Sequence, residues 1–170
     1  MEIFKLFHYL KLEKLIIMPN SYTKIYVQAV FAVKYRKAQL DKEWRHQLFC
    51  NMGKIINDEG CHSITINGVE DHVHCLFGLK SDVTIARIMQ RVKSLSSKWI
   101  NENNLTKTKF KWQSGYGAFS YSESALKNVV KYIENQEEHH KKKTFLNEYK
   151  LFLEKFNVDF EEEYIFLEMI

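Results

Sequence analysis

Apolar and polar residues alternate along the first clear element of this chain. Within residues 22–33, one side of the chain has the apolar residues Ile25, Val27, Ala29 and Phe31, and the other side has Tyr22, Lys24, Tyr26 and Gln28. Successive side chains of a strand face opposite ways, so this period of two predicts a half-buried β-strand. An apolar stripe at helical spacing follows, and it predicts an amphipathic helix between the capping residue Asp41 and Gly60.

Two strands and a second helix are predicted in the middle of the chain. Residues 63–69 and 73–79 predict two antiparallel strands around a short turn, and residues 83–101 predict a helix with one apolar face. A short strand within 110–120 and a helix that carries Tyr132 come next. The order β-α-β-β-α-β predicts an α+β fold of the ferredoxin-like split βαβ type. We expect an antiparallel sheet with helices on one face, plus the C-terminal tyrosine helix.

Length and composition favour one domain. A chain of 170 residues can bury one sizeable core, and no linker-like tract divides it. Residues 1–17 precede the strand pattern and lack the uninterrupted apolar core of a signal peptide. We therefore expect an N-terminal extension outside the fold, a natural start at Met18 and a single domain over 18–170. No apolar run reaches the roughly 18 residues of a membrane span.

Charge and cysteine content bear on the partners of the chain and on its cellular compartment. The net charge is only +4, but Lys and Arg concentrate between residues 80 and 143, a pattern that permits nucleic-acid binding without requiring it. Three cysteines without a close pair indicate reduced thiols and a cytoplasmic protein: Cys50, Cys61 and Cys75.

Two polar clusters carry the candidate chemistry. His72 and His74 are two residues apart on a predicted strand, so both imidazoles face one point, where they could hold a metal. Tyr132 and Gln136 are four residues apart on a predicted helix, so they share a face that could supply a nucleophile and a third ligand.

Taken singly, each of these features has an ordinary structural explanation. Paired histidines can be half-exposed residues on the open face of a sheet, and a helical tyrosine usually packs or lies on the surface. The basic face of Arg87, Arg91 and Lys98 is more often a solvated helix surface than a DNA contact. His139 and His140 could contact phosphates or complete a polar helix end.

Three motifs in order raise the specificity of the pattern. They are Asp71-His72-Val73-His74, the segment from Trp112 to Ser120, and the segment from Tyr132 to His140. With them the chain from about residue 21 to 166 closely resembles the HUH-type single-tyrosine transposases of the IS200-like family, which move insertion sequences as single-stranded DNA.

The resemblance implies a function and its residues. Tyr132 would attack a DNA phosphodiester, leaving a 5′-phosphotyrosine and a free 3′-hydroxyl, while His72, His74 and Gln136 hold Mg²⁺ or Mn²⁺. The implied partners are single-stranded DNA with subterminal hairpins and a second copy of the chain in a homodimer. Arg87, Arg91 and Lys98 would then position the DNA backbone. The acceptor of the tyrosine proton and the subunit that each tyrosine serves stay open.

The implied ligand set also predicts metal preference. Two imidazoles and one amide oxygen are unusual for magnesium, which prefers oxygen ligands, so we expect weak affinity and a preference for manganese. Asp71 is either an outer partner that orients one histidine or a turn residue.

Three rival functions stay open. A domesticated relative would use the same residues to nick hairpins repeated in its host genome. A noncatalytic ferredoxin-like module would only bind nucleic acid, although the aromatic signature of RNA-recognition motifs is missing. A hydrolytic metalloenzyme would use His72 and His74 to activate water, but no further carboxylate ligand is evident at a suitable spacing.

Overall fold

The computed structural model describes residues 22–37, 39–161 and 165. The predicted extension at residues 1–17 and the predicted start at Met18 lie outside the described residues. Four strands and five α-helices follow in chain order: β1 (Ile25–Ala32), α1 (Lys42–Asp58), β2 (His62–Gly68), β3 (His72–Leu79), α2 (Ile85–Glu102), β4 (Gly117–Tyr121), α3 (Leu126–Glu134), α4 (Gln136–His140) and α5 (Phe145–Lys155).

The four strands form one antiparallel sheet in the order β2-β3-β1-β4. β2 and β3 form the predicted hairpin, and β1 lies between β3 and β4. The predicted α+β order is therefore confirmed. The last strand is shorter than the predicted 110–120 segment, where Trp112 forms only an isolated bridge with Val33.

One face of the sheet packs on α1 and α2 and forms the main apolar core. Odd-numbered residues of β1 and β3 point into it, among them Phe31, Val73 and Phe77, which are all fully buried. Asp41 begins α1 as predicted, since its carboxylate accepts a hydrogen bond from the backbone N–H of Glu43 at 3.0 Å.

The other face of the sheet is covered by helices that follow β4. Residues of β1 on this side, including Gln28 and Val30, are also fully buried. The prediction of a half-buried β1 was therefore wrong, because α3 and α5 pack where solvent was expected. Gly117 permits this approach, since a Cβ atom there would lie 2.7 Å from the hydroxyl of Tyr149 in α5.

Among the described residues, no helix is both long enough and apolar enough to cross a membrane.

Candidate active site

The two histidines of the His-Val-His motif lie on the second face of the sheet. The pleat of β3 sends His72 and His74 to one side and Val73 to the core, as predicted from their spacing. Both histidines are fully buried, and their ring centroids are 5.2 Å apart. Neither Nε2 atom makes a hydrogen bond within the part of the chain that the structure describes.

Asp71 orients the first of these rings. The Nδ1–H of His72 donates a hydrogen bond to the Asp71 carboxylate at 2.7 Å, because a carboxylate can only accept. That bond leaves the Nε2 lone pair of His72 free to ligate. Phe145 stacks on the other side of the ring at 4.2 Å between centroids. Asp71 therefore makes the contact expected of a residue that orients one histidine.

Gln28 contacts the second ring from the neighbouring strand. Its side-chain amide donates to Nδ1 of His74 at 2.9 Å, and its Oε1 is buried without a partner among the described residues. Reversing the amide exchanges two nearly isosteric groups. Oε1 of Gln28 would then accept from the Nδ1–H of His74, which leaves Nε2 of His74 as a ligand.

Tyr132 and Gln136 come together on two helices rather than one. α3 ends at Glu134, Asn135 has non-helical backbone angles, and Gln136 begins α4. The predicted continuous helix was wrong at this point, because Asn67 of β2 binds the end of α3. Its side-chain amide donates to the carbonyls of residues 133 and 134, both at 2.9 Å.

Glu148, like Gln28, is a site residue that sequence reasoning missed. It lies on α5, is only 3% exposed, and accepts hydrogen bonds from the hydroxyl of Tyr132 and from Nε2 of Gln136, the latter at 3.1 Å. Its second oxygen lies 3.4 Å from Nε2 of His74 and 3.6 Å from Nε2 of His72. The available signal was a carboxylate inside the apolar stripe of α5.

His140 joins the same cluster. Its Nε2 lies 3.1 Å from Glu148, and its ring centroid lies 4.4 Å from that of His72. Burial, helped by the neighbouring histidines, lowers the pKa of His140 to about 4. Burial also lowers the pKa of His74, against the opposite effect of Glu148. Both rings are therefore neutral at pH 7, which is the form that binds metal ions.

The donor atoms fit a divalent cation. His72, His74, His140 and Glu148 each offer one ligand atom, and these atoms lie within 4.8 Å of one another. The Oε1 of Gln136 is buried nearby with no hydrogen-bond partner among the described residues. Buried polar atoms without partners are costly, and a cation would satisfy them together. A carboxylate also suits a hard cation better than the all-neutral ligand set predicted above.

The predicted DNA-contact residues Arg87, Arg91 and Lys98 lie elsewhere. They belong to α2, which packs on the opposite face of the sheet from Tyr132. The Nε–H groups of both arginines donate to Glu59 at 2.8 Å, and Lys98 pairs with Glu102 at 3.6 Å. Their DNA contacts stay a prediction.

Solved structures share this fold. One is a crystal structure of a candidate transposase from Deinococcus radiodurans R1, with 22% identity and a TM-score of 0.58 over 70% of this chain and 95% of that chain. Another is a REP-associated tyrosine transposase bound to a REP hairpin, with 16% identity and a TM-score of 0.55 over 72% of this chain and 73% of that one. At these sequence identities the likeness shows that the fold is shared.

The family follows from the sequence itself. The model of the family described as transposase IS200 like matches residues 21–136, and the chain belongs to that family. The match includes His72, His74, Tyr132 and Gln136 and ends before Glu148. No curated protein matches the chain significantly.

Proposed function

We propose that this transposase cleaves and rejoins single-stranded DNA at insertion-sequence ends, with Tyr132 as the nucleophile and a divalent metal as cofactor. One observation carries the proposal: the hydroxyl of Tyr132 meets His72, His74 and Gln136 through their shared neighbour Glu148. These groups come from strands and helices far apart in the sequence. A packing tyrosine would not need such a cluster of buried metal-ligating side chains around it.

The proposed reaction exchanges one phosphodiester for another. The oxygen of Tyr132 attacks the phosphorus, a bond forms between them, and the bond from phosphorus to the 3′-oxygen breaks. The products are a 5′-phosphotyrosine and a strand with a free 3′-hydroxyl. Reversal of the same step by a 3′-hydroxyl joins strands, so no phosphodiester is lost to water.

Tyrosine must lose its proton during this attack, because its ordinary pKa lies near 10. Oε1 of Glu148 already accepts a hydrogen bond from the Tyr132 hydroxyl. We assign Glu148 as the first acceptor of that proton, which the departing 3′-oxygen needs in return. The sequence alone left this acceptor unidentified.

The metal would be held by His72, His74 and Gln136, with Glu148 and His140 within reach of the same point. A bound Mg²⁺ or Mn²⁺ supplies positive charge that polarises the phosphate and stabilises the charge that develops during attack. The residues contribute orientation: Asp71 holds the ring of His72, and Gln28 holds that of His74.

The partners remain proposals of the same kind. The hairpin-bound structural neighbour supports DNA hairpins as ligands. A homodimer is proposed from the family resemblance, and each chain would use its own tyrosine, because Tyr132 reaches the histidines of its own chain. We place this activity in the cytoplasm, where the three free cysteines would stay reduced.

A specific observation favours a second candidate. The hairpin-bound neighbour is REP-associated, so a domesticated relative that nicks repeated hairpins would use this same site. The chemistry at Tyr132 would be identical, and only the DNA would differ.

A labelling experiment tests the chemistry. The protein is mixed with single strands from the flanks of its own gene, labelled at either the 5′ or the 3′ end, with and without Mn²⁺. Because the tyrosine keeps the 5′-phosphate, only the 3′-labelled strand should label the protein on a denaturing gel. A metalloenzyme that activates water would instead release two free ends and leave the protein unlabelled. His74→Ala provides the metal-site control and should form no adduct.

A further inference from the structure

The surface beside Tyr132 contains two adjoining cavities of about 360 and 600 Å³. They share Asn128, Tyr132, His139 and Lys143 as lining residues, so they form one continuous depression, here called the Tyr132 groove. The groove lies between α3 and α4 on one side and α5 on the other. It is large enough for more than one nucleotide, since about 300 Å³ already suits a small ligand.

Four lysines outnumber the two carboxylates that line this groove, Glu138 and Glu148. Lys143 lines both cavities, Lys155 lines the first, and Lys131 and Lys142 line the second. All four are exposed, and none pairs with a carboxylate among the described residues. This contrasts with Arg87 and Arg91 of α2, whose guanidinium groups are already occupied by Glu59.

Aromatic side chains line the first cavity. Tyr121 of β4 and Phe152 of α5 lie on its wall beside Tyr132. The Nζ of Lys155 lies 5.8 Å from the Tyr121 ring centroid, which places a cation beside an aromatic surface. That combination is typical of sites that hold an unpaired base and its phosphate.

We propose that the Tyr132 groove binds the single-stranded DNA on both sides of the cleaved phosphate. The lysines contact its phosphates, and the partly exposed ring of Tyr121 stacks on one base. This inference rests on the proposed function, because it takes DNA as the substrate of Tyr132. It assigns the DNA contacts nearest to the cleaved phosphate to this groove. α2, which carries Arg87, Arg91 and Lys98, packs on the opposite face of the sheet.

The test measures DNA binding without chemistry. A Tyr132→Phe protein in EDTA is titrated into 5′-fluorescein-labelled (dT)20, a probe that forms no hairpin, and anisotropy is read at several salt concentrations. Adding Lys143→Ala with Lys155→Ala should weaken binding about tenfold. The slope of log affinity against log salt should fall by about 1.4, which is about 0.7 for each lost phosphate contact.

The control removes the same two charges from the other face of the sheet. Lys54 of α1 and Lys109, which directly precedes Phe110 of the main apolar core, are exposed lysines there, so Lys54→Ala with Lys109→Ala should change affinity less than about twofold. Equal losses in the two double variants, or no loss in the groove variant, would overturn the proposal. Far-UV circular dichroism and melting curves establish that each variant is folded.

A third variant examines stacking. Tyr121→Leu keeps an apolar side chain on β4, and it should weaken (dT)20 binding at least about fivefold with an unchanged salt slope. An unchanged affinity would contradict the stacking role. If the wild type binds DNA in the groove but forms no covalent adduct, only the proposed function is refuted. If the wild type forms the adduct but the groove variant binds (dT)20 as tightly as the protein without the lysine changes, only this inference is refuted.

Discussion

The two faces of one sheet are built from the same strands but have opposite chemistry. On the α1 and α2 side, β1 and β3 contribute residues such as Phe31 and Phe77 to an apolar core. On the other side the same strands contribute Gln28, His72 and His74, all fully buried. The alternation of side chains lets a single strand serve both faces. One face stabilises the fold, and the other positions the groups of the candidate site.

The comparison also separates two kinds of burial. Apolar burial on the first face contributes stability in proportion to area. Burying imidazoles and the Glu148 carboxylate costs free energy unless they find partners. Several of the metal-ligating atoms on the second face lack hydrogen bonds among the described residues. Without a metal, burial on this face therefore contributes less to the free energy of unfolding than burial on the apolar face.

The largest effect is expected from Tyr132→Phe. This change removes the nucleophilic oxygen and leaves the ring, so strand cleavage should fall about a thousandfold or more. The melting temperature should change little, because the ring of Tyr132 still packs against Phe152. Rates of strand cleavage and thermal melts check both statements.

Truncation in the apolar face should instead affect stability alone. Phe77 is fully buried, and Phe77→Ala should lower the free energy of unfolding by about 3–5 kcal/mol through lost burial and a cavity. Urea denaturation measures it. A loss below about 1 kcal/mol would show that this face is not the stabilising one.

Metal should stabilise the second face. If Mn²⁺ binds only the folded chain, a hundredfold excess over its Kd adds about 2.7 kcal/mol, and chelation removes it. Glu148→Gln should abolish most of this gain while leaving the metal-free protein equally or more stable, because a buried charge is removed. Unfolding in Mn²⁺ and in EDTA gives both quantities, and an equal gain in both proteins would remove Glu148 from the ligand set.

Gln28 should act on the metal through His74. Gln28→Leu keeps the buried volume but removes the hydrogen bond to Nδ1, so the affinity for Mn²⁺ should fall about 10- to 100-fold. Isothermal titration calorimetry measures it. Val30→Ala, a truncation on the same strand and face, provides the control and should leave the affinity within a few-fold of wild type.

The smallest effect concerns Lys93, on the apolar side of the sheet. Its ammonium donates to the carbonyls of Gln113 and Gly115, both at 2.6 Å, while burial lowers its pKa to about 8. Between pH 8 and its ordinary 10.5 the unfolded chain binds more protons than the folded one. The contribution of Lys93 to the free energy of unfolding should therefore rise with pH across this window.

Comparing wild type with Lys93→Met isolates that contribution, because the other titrating groups are common to both. The difference should amount to about 1 kcal/mol or less, since Lys93 is partly exposed. Urea melts at pH 8 and 10 measure it. A difference of the opposite sign would show that the carbonyl contacts outweigh burial.

Local patterns predicted much of this molecule. The period of two in β3 predicted that His72 and His74 share a face, and the helical stripes and the cap Asp41 predicted α1. These features depend on neighbours in sequence, which a single chain displays directly. The roles of Tyr132 and its metal ligands stay predictions.

The misses arose from contacts between distant segments. Glu148 meets β3 only because α5 folds back over the sheet, and the break at Asn135 depends on an amide from β2. The buried second face of β1 has the same origin. Such contacts leave no periodic signal around the residue that they affect.

The most direct measurement maps the covalent link. Wild-type protein is reacted with single-stranded DNA from the flanks of its gene, digested with nuclease and trypsin, and its peptides are analysed by mass spectrometry. Trypsin releases residues 132–141, in which Tyr132 is the only tyrosine. We expect a nucleotide phosphate on that residue. A phosphate on any other residue, or an adduct that persists in Tyr132→Phe, would contradict it.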